Sequence, residues 1–436
     1  MQHQTSDHQY EYPILNAYNR SLSKRTITLP RGNLDLTYQI QPPLSNQLLH
    51  QQRYHLEDLL GFAQRINPKR AFLFVSKVLG RHIPVSPKLM RRAFTNLTTL
   101  VPDDLPEPIL VIGMAETAVG LSAGVHQALQ ARYPNALLLN STRHAQPNSE
   151  LLTTFSEDHS HASSHLIYQS SHPAIQAQLL ASRTLIMVDD EASTGNTCVN
   201  VVTALREAGL DQLQQVHLTT LVDWSLGEFA ADDSIGSRLP GIQFERHHLL
   251  SGAWQWTDAP NPEPITMPSV DTTEAGSQPV LNTGNWGRVP TLDSTEGFAD
   301  YLTQFQQAYS HHYQVKNWQK YRLPKRILVL GSNEFVWLPF LLAEHLERQQ
   351  NDDAEAAHID RSVKFSALTR SPIALGGAIH SMLSFTDHYG LGMTNFAYNV
   401  DSSEWDLIVL CIETPADSVD TIWQNLENVL VVSPAV

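Results

Sequence analysis

The chain of 436 residues has only two cysteines, Cys198 and Cys411, far apart and without metal-ligand spacing. No disulfide framework is implied, and a reducing cytoplasm is favoured. No apolar run approaches the ~18 residues that a membrane-spanning helix needs, and the polar, His-rich start MQHQTSDHQYEY lacks the charged-then-apolar order of a signal peptide. A soluble, cytoplasmic protein with no membrane partner is expected. Positive charge is scarce as well: 29 Lys and Arg against 44 Asp and Glu leave a formal charge of −15. A chain so acidic is not a general nucleic-acid binder, and any anionic ligand has to be held locally.

At this length one ordinary core is too small, so two domains are expected. Apolar runs alternate with helical patterns: Ile109 to Ile112 then Val119 to Arg132, Ala136 to Leu139, Leu185 to Val188 then Cys198 to Ala208, and Val216 to Val222. Such alternation predicts an α/β fold, a parallel sheet flanked by helices. Prolines 260, 262, 264, 268 and 279 among Thr, Ser and Glu mark residues 258–285 as a linker. The α/β pattern then resumes with Ile327 to Leu330, a helix around Leu338 to Arg348, Val363 to Leu368, a helix near Ala374 to Leu383, and Leu407 to Ile412. The expected division is an N-terminal extension over 1–40, a first domain over 41–257, the linker over 258–285 and a second α/β, Rossmann-like domain over 286–436.

Chemistry concentrates in MVDDEASTGNT, residues 187–197. An apolar strand ends in Asp189 and Asp190, and Glu191, Ala192, Ser193, Thr194, Gly195, Asn196 and Thr197 lead into a helix. Ligands of open α/β sheets bind at the carboxyl ends of strands. Two carboxylates there can accept hydrogen bonds from a vicinal diol. The small residues that follow offer hydroxyls and backbone N–H groups to a phosphate at a helix N-terminus, with Gly195 tolerating positive φ. Diol plus phosphate means a ribose 5-phosphate.

The order strand, DD, three residues, TGNT, helix resembles the 5-phosphoribosyl-1-pyrophosphate (PRPP) signature of type I phosphoribosyltransferases. The resemblance implies a pyrophosphate loop after the first strand, at Met114, Ala115, Glu116 and Thr117, and a flexible loop between the second strand and the PRPP strand. Within that interval Arg143 is the best cationic candidate to meet departing pyrophosphate, so Asp189, Asp190 and Arg143 are the expected catalytic residues. His159 and His161 in the same interval stand open between a catalytic-loop role, solvated side chains and a metal site. The implied cofactor is Mg²⁺, reached by Asp189 and Asp190 through water, with PRPP as co-substrate.

"NPKRAFLFVSKVLGRHIPVSP" (67–87), "FSEDHSHASSH" (155–165), "VDDEASTGNT" (188–197) and "LTRSPI" (368–373) together resemble a bacterial family. Its members join an orotate-phosphoribosyltransferase-like domain, hood included, to a C-terminal TRSP domain and occur with tellurite-resistance gene clusters. Purine-salvage enzymes of the superfamily carry a third carboxylate directly before the TG, where this chain has Ser193, so a small non-purine acceptor is expected. A PRPP-binding regulator without turnover is the alternative. The resemblance also makes a homodimer an expectation.

Three further features leave their readings open. Eight basic residues (Arg65, Lys69, Arg70, Lys77, Arg81, Lys88, Arg91 and Arg92) occupy an interval with no acidic residue between Asp58 and Asp103. They form a solvated face, or a field that attracts PRPP through Lys69, Arg70 or Lys77. Trp254 and Trp256 either stack on a planar acceptor or pack internally. In the second domain, "ILVLGSNEF" and "TRSPIALGGAIH" place Ser332, Arg370 and Ser371 after strands, with Ser371 and Pro372 suited to open a helix. They make either a second phosphate site or two well-capped turns.

Overall fold

Short apolar, partly β-branched runs form the central strands because they are buried on both faces, as parallel sheets require. The computed structural model describes residues 22–41, 54–67, 70–146, 148–156, 164–226, 234–271, 277–315, 322–352 and 361–435. The first sheet has seven strands in the order Ser23–Leu29, Gly32–Ile40, Gln243–Asp258, Gln215–Asp223, Thr184–Ala192, Ile109–Gly113 and Leu137–Asn140. The last five run parallel, and the hairpin of residues 23–40 adds antiparallel to the long strand Gln243–Asp258. Helices Val119–Leu129 and Asn196–Glu207 are the crossovers that follow Ile109–Gly113 and Thr184–Ala192.

The segment between the edge hairpin and Ile109–Gly113 packs against both this sheet and the second domain. It comprises the hairpin Leu60–Gln64 with Phe72–Ser76 and the helix Pro87–Leu100, whose Ser86 cap accepts a hydrogen bond from the Leu89 N–H and whose first residue is proline. Trp254 and Trp256 pack on this hairpin, with ring centroids 4.9 and 5.5 Å from Phe72, so both tryptophans are internal packing residues.

The second domain carries four parallel strands in the order Ser362–Leu368, Arg326–Ser332, Leu407–Cys411 and Val429–Val432, covered by helices Phe298–His312 and Trp337–Asp352. The helix expected near 374–383 is not formed. Gly376 and Gly377 hold φ of 119° and 60°, which a right-handed helix does not accommodate, and the chain turns back so that Gly376 N–H meets Ile379 C=O at 2.8 Å. Ser371 therefore caps no helix. It is exposed, and its carbonyl accepts from the Tyr398 hydroxyl.

The domains share one apolar core, which runs from Ile109 and Leu110 through Phe94 to Trp337, Phe340 and Phe365. Backbone pairing crosses the same seam: Val85 exchanges two hydrogen bonds with Phe365, at 2.9 and 2.7 Å. Among the described residues no helix is long and apolar enough to cross a membrane.

Candidate active site

In the first sheet the strand order reverses between Ile109–Gly113 and Thr184–Ala192, and the crevice of a doubly wound sheet opens at such a switch point. The two sequence motifs end on its two sides. Thr184–Ala192 carries Asp189 and Asp190 to its carboxyl end, both half-buried, with the Asp190 N–H donating to Asp189 Oδ1 at 2.9 Å. Ser193 and Thr194 are exposed, and Asn196 and Thr197 open the next helix. Gly195 holds φ +71°, and a Cβ there would run into Ile235. A side chain at this position is excluded twice, by conformation and by space.

The loop after Ile109–Gly113 turns through Met114, Ala115, Glu116 and Thr117, with a cis bond between Ala115 and Glu116. It leans on the strand opposite, since the Met114 N–H reaches the Val188 carbonyl at 3.4 Å. The Ala115 N–H donates to Ser141 Oγ at 2.9 Å, and that hydroxyl lies 3.0 Å from His165 Nδ1. Glu116 is held by Arg81, only 4% exposed, whose guanidinium donates to Glu116 Oε1 at 2.8 Å, the Glu116 carbonyl at 2.5 Å, and the carbonyls of Asn333 and Leu368 at 2.8 and 3.2 Å. One arginine thus ties the loop to the second domain.

The other expected site residues are dispersed more widely. Arg143 follows the strand Leu137–Asn140. Its backbone N–H donates to Glu334 Oε1 at 2.8 Å, and its charge is within electrostatic range of Arg81. The strands Leu151–Phe155 and His165–Tyr168 pair antiparallel, while His159 and His161 lie outside the described residues. Lys69 does too. Arg70 pairs with Glu191 at 2.7 Å and lies over Phe72 and Phe74, and Lys77 donates to the Glu57 carbonyl at 2.9 Å. Burial raises the Glu191 carboxyl above its ordinary range, with Asp190 adding to the shift and Arg70 opposing it. Arg91 makes a two-pronged pair with Glu344. Arg70, Arg81 and Arg91 of the basic run are therefore matched by carboxylates distant in sequence.

Ser332 is fully buried at the end of its strand, and Arg370 follows the edge strand Ser362–Leu368. Three contributors carried no local signal. Arg238 clasps the turn at residues 194–196, donating to Asn196 Oδ1 at 2.6 Å and to the Thr194 carbonyl at 2.9 Å. Glu334 also accepts from the Thr142 hydroxyl at 2.6 Å, and Ser141 supports the loop at residues 114–117. As for metals, His217, Glu245 and His247 bring ligand atoms within 4.8 Å of one another, at the amino ends of their strands and away from the phosphate loop. The two imidazoles there already pair, Nδ1 to Nε2, at 2.9 Å.

A carboxylate pair and a hydroxyl-rich loop at a helix start thus face a second loop across the switch point of the first sheet. Residues 59–253 match the family model described as "Phosphoribosyl transferase", and residues 300–430 match that described as "TRSP domain C terminus to PRTase_2". The chain belongs to this family of phosphoribosyltransferases with a C-terminal TRSP domain. No curated protein matches it. Similar solved structures include the adenine phosphoribosyltransferases of Trypanosoma brucei, solved with AMP, pyrophosphate and ribose-5-phosphate (12% identity, 44% of this chain and 76% of that one, TM-score 0.30), and of Thermoanaerobacter pseudethanolicus (14%, 44% and 96%, 0.31). A third is the Giardia lamblia enzyme with 9-deazaadenine (14%, 44% and 96%, 0.29).

Proposed function

We propose that this chain transfers the 5-phosphoribosyl group of PRPP to a small, non-purine acceptor, or runs the reverse pyrophosphorolysis, in the crevice between Ile109–Gly113 and Thr184–Ala192. The observation that carries the reading is the approach of the two motifs across the switch point, where Met114 N–H meets Val188 C=O. In that reaction the bond from C1 to the pyrophosphate oxygen breaks, the electron pair leaves with pyrophosphate, and a lone pair of the acceptor forms the new bond at C1. Asp189 and Asp190 accept from the ribose hydroxyls, while residues 193–197 hold the 5-phosphate through N–H and hydroxyl groups at the helix start. The loop 114–117 takes the pyrophosphate through the backbone N–H groups of Glu116 and Thr117, those of Met114 and Ala115 being bonded to Val188 and Ser141, with Arg143 near its departing charge.

Half-exposed carboxylate oxygens suit Mg²⁺, which keeps most of its waters, and bound there it neutralises pyrophosphate charge. Ser193 in place of an acid before Thr194 removes the group that would exchange a proton with a purine ring, which supports a different acceptor class.

The test is a screen of acceptors with labelled PRPP and Mg²⁺, following pyrophosphate, alongside calorimetric titration of PRPP. Asp189→Asn and Asp190→Asn are expected to weaken PRPP binding, the double variant most. Unchanged affinity in the double variant rejects the diol assignment. Tight PRPP binding with no pyrophosphate release under any acceptor indicates a PRPP-responsive regulator instead.

A further inference from the structure

The second sheet is also doubly wound, and its order reverses between Arg326–Ser332 and Leu407–Cys411. The residues just beyond those ends, Asn333, Glu334, Glu413 and Thr414, are buried, as are His388 and Asn395. Many polar atoms here have no hydrogen-bond partner among the described residues: Ser332 Oγ, Asn333 Nδ2, His388 Nε2, Asn395 Oδ1, Glu413 Oε2, and Nε with one terminal nitrogen of Arg370. Each such atom costs ~1–3 kcal/mol when left unmade, so a fold does not gather them at one strand end without something to bind there.

Their chemistry is specific. Glu413 is matched on its other oxygen by Arg288 at 2.6 Å and the Tyr389 hydroxyl at 2.8 Å. Burial raises its carboxyl, but the Arg288 charge and these hydrogen bonds outweigh that and hold it below the ordinary range, so it is an ionised acceptor. His388 is tied through Nδ1 to Thr414 Oγ1 at 2.8 Å, and burial lowers its pKa to about 3, so the ring is neutral at pH 7. Arg370 lies within electrostatic range of His388 and, among the described residues, makes no ion pair. The set therefore offers one uncompensated guanidinium beside amide and carboxylate acceptors.

The two switch points are also adjacent. Arg81 links Glu116 of the first site to Asn333, and Glu334 takes hydrogen bonds from Thr142 and Arg143. His144 stacks on Tyr389 with ring centroids 4.6 Å apart.

We propose that the carboxyl edge of the C-terminal sheet is a second small-molecule site for a phosphorylated, hydroxyl-bearing compound, with its phosphate on Arg370 and its hydroxyls on Glu413 and Asn395. Because the seam joins it to the first crevice, its natural occupant is a ribosyl phosphate made there, a clause that rests on the function proposed above. The site itself does not depend on that clause.

The experiment uses the full chain and ribose 5-phosphate as probe. Wild type is expected to bind it in two events per chain by calorimetry. Asp189→Asn with Asp190→Asn weakens one event and Arg370→Met weakens the other at least tenfold. Removing an unpaired guanidinium also leaves the ligand-free melting temperature unchanged or raised, which a structural arginine would not do. An Arg370→Met variant that leaves every wild-type event undiminished, whether there is one or two, overturns the proposal. If Arg370→Met does not fold, Asn395→Leu decides, and two undiminished events in that variant overturn it equally. Loss of the first-site event alone reports on the proposed transferase reading, so the two fail separately.

Discussion

Replacing Arg81 with methionine should separate the pyrophosphate loop from the second domain. The guanidinium is buried and makes four hydrogen bonds, two to Glu116 and one each to the carbonyls of Asn333 and Leu368. Methionine fills much of the volume and makes none. The Glu116 carboxylate, whose side chain is 12% exposed, is then left without its partner. Breaking a buried pair on one side costs ~3–5 kcal/mol, because the remaining charge stays desolvated. Arg81→Met should therefore lower the stability of the docked chain by that amount, a change of roughly two to four powers of ten in the folded ratio. The double variant Arg81→Met with Glu116→Gln removes the stranded charge and should recover at least ~1 kcal/mol of the loss. Since a two-domain chain need not unfold in one step, urea unfolding is read with one probe in each domain. A cost below ~1 kcal/mol, or a double variant as damaged as the sum of its parts, refutes the clamp.

Two further outcomes follow from the same geometry. Gly195→Ala should cost ~1–2 kcal/mol for the left-handed backbone alone, more with the encounter with Ile235, and should weaken PRPP binding at least tenfold; calorimetric affinity equal to wild type would contradict the phosphate-loop assignment. Acid should destabilise the fold through His247 and His388, both lowered to about 3 by burial, with neighbouring His217 and His248 adding at His247. Below pH ~6.5 the unfolded chain takes up protons that these folded imidazoles refuse, so stability is full above ~6.5 and falls as pH drops toward ~3. Glu191, raised by burial, acts in the opposite sense. Denaturant unfolding at pH 5.0 against 7.5 should show a loss of ~2 kcal/mol per histidine, and His388→Gln should flatten the dependence; equal or greater stability at pH 5.0 would contradict it.

Residues 187–197 were legible because their information is local. An apolar run, two acids, a glycine and a helix start within a dozen residues specify strand, turn and anion-binding N–H groups before anything else packs. Other elements were not. Gln243–Asp258 is rich in polar and histidine residues and is a strand because neighbours pair with it on both sides. The segment 374–383 read as helical from its apolar spacing, yet two glycines in positive φ turned it back.

Sequence alone pointed to parallel α/β architecture and placed the carboxylate pair at a strand end and Gly195 at a helix start, because strand burial, turn chemistry and capping act over a few residues. Only the tertiary structure decided which charges meet. Arg81 reaches carbonyls 252 and 287 positions away, Arg70 meets Glu191 and Arg91 meets Glu344, so part of a run of cations that reads as an open field is matched by acids from elsewhere in the chain. Arg370 is the reverse case, a lone cation in the sequence that stays unmatched in the fold. Pairing of this kind depends on desolvation and on distances of a few ångströms between segments that chain order leaves independent, and only packing sets those distances.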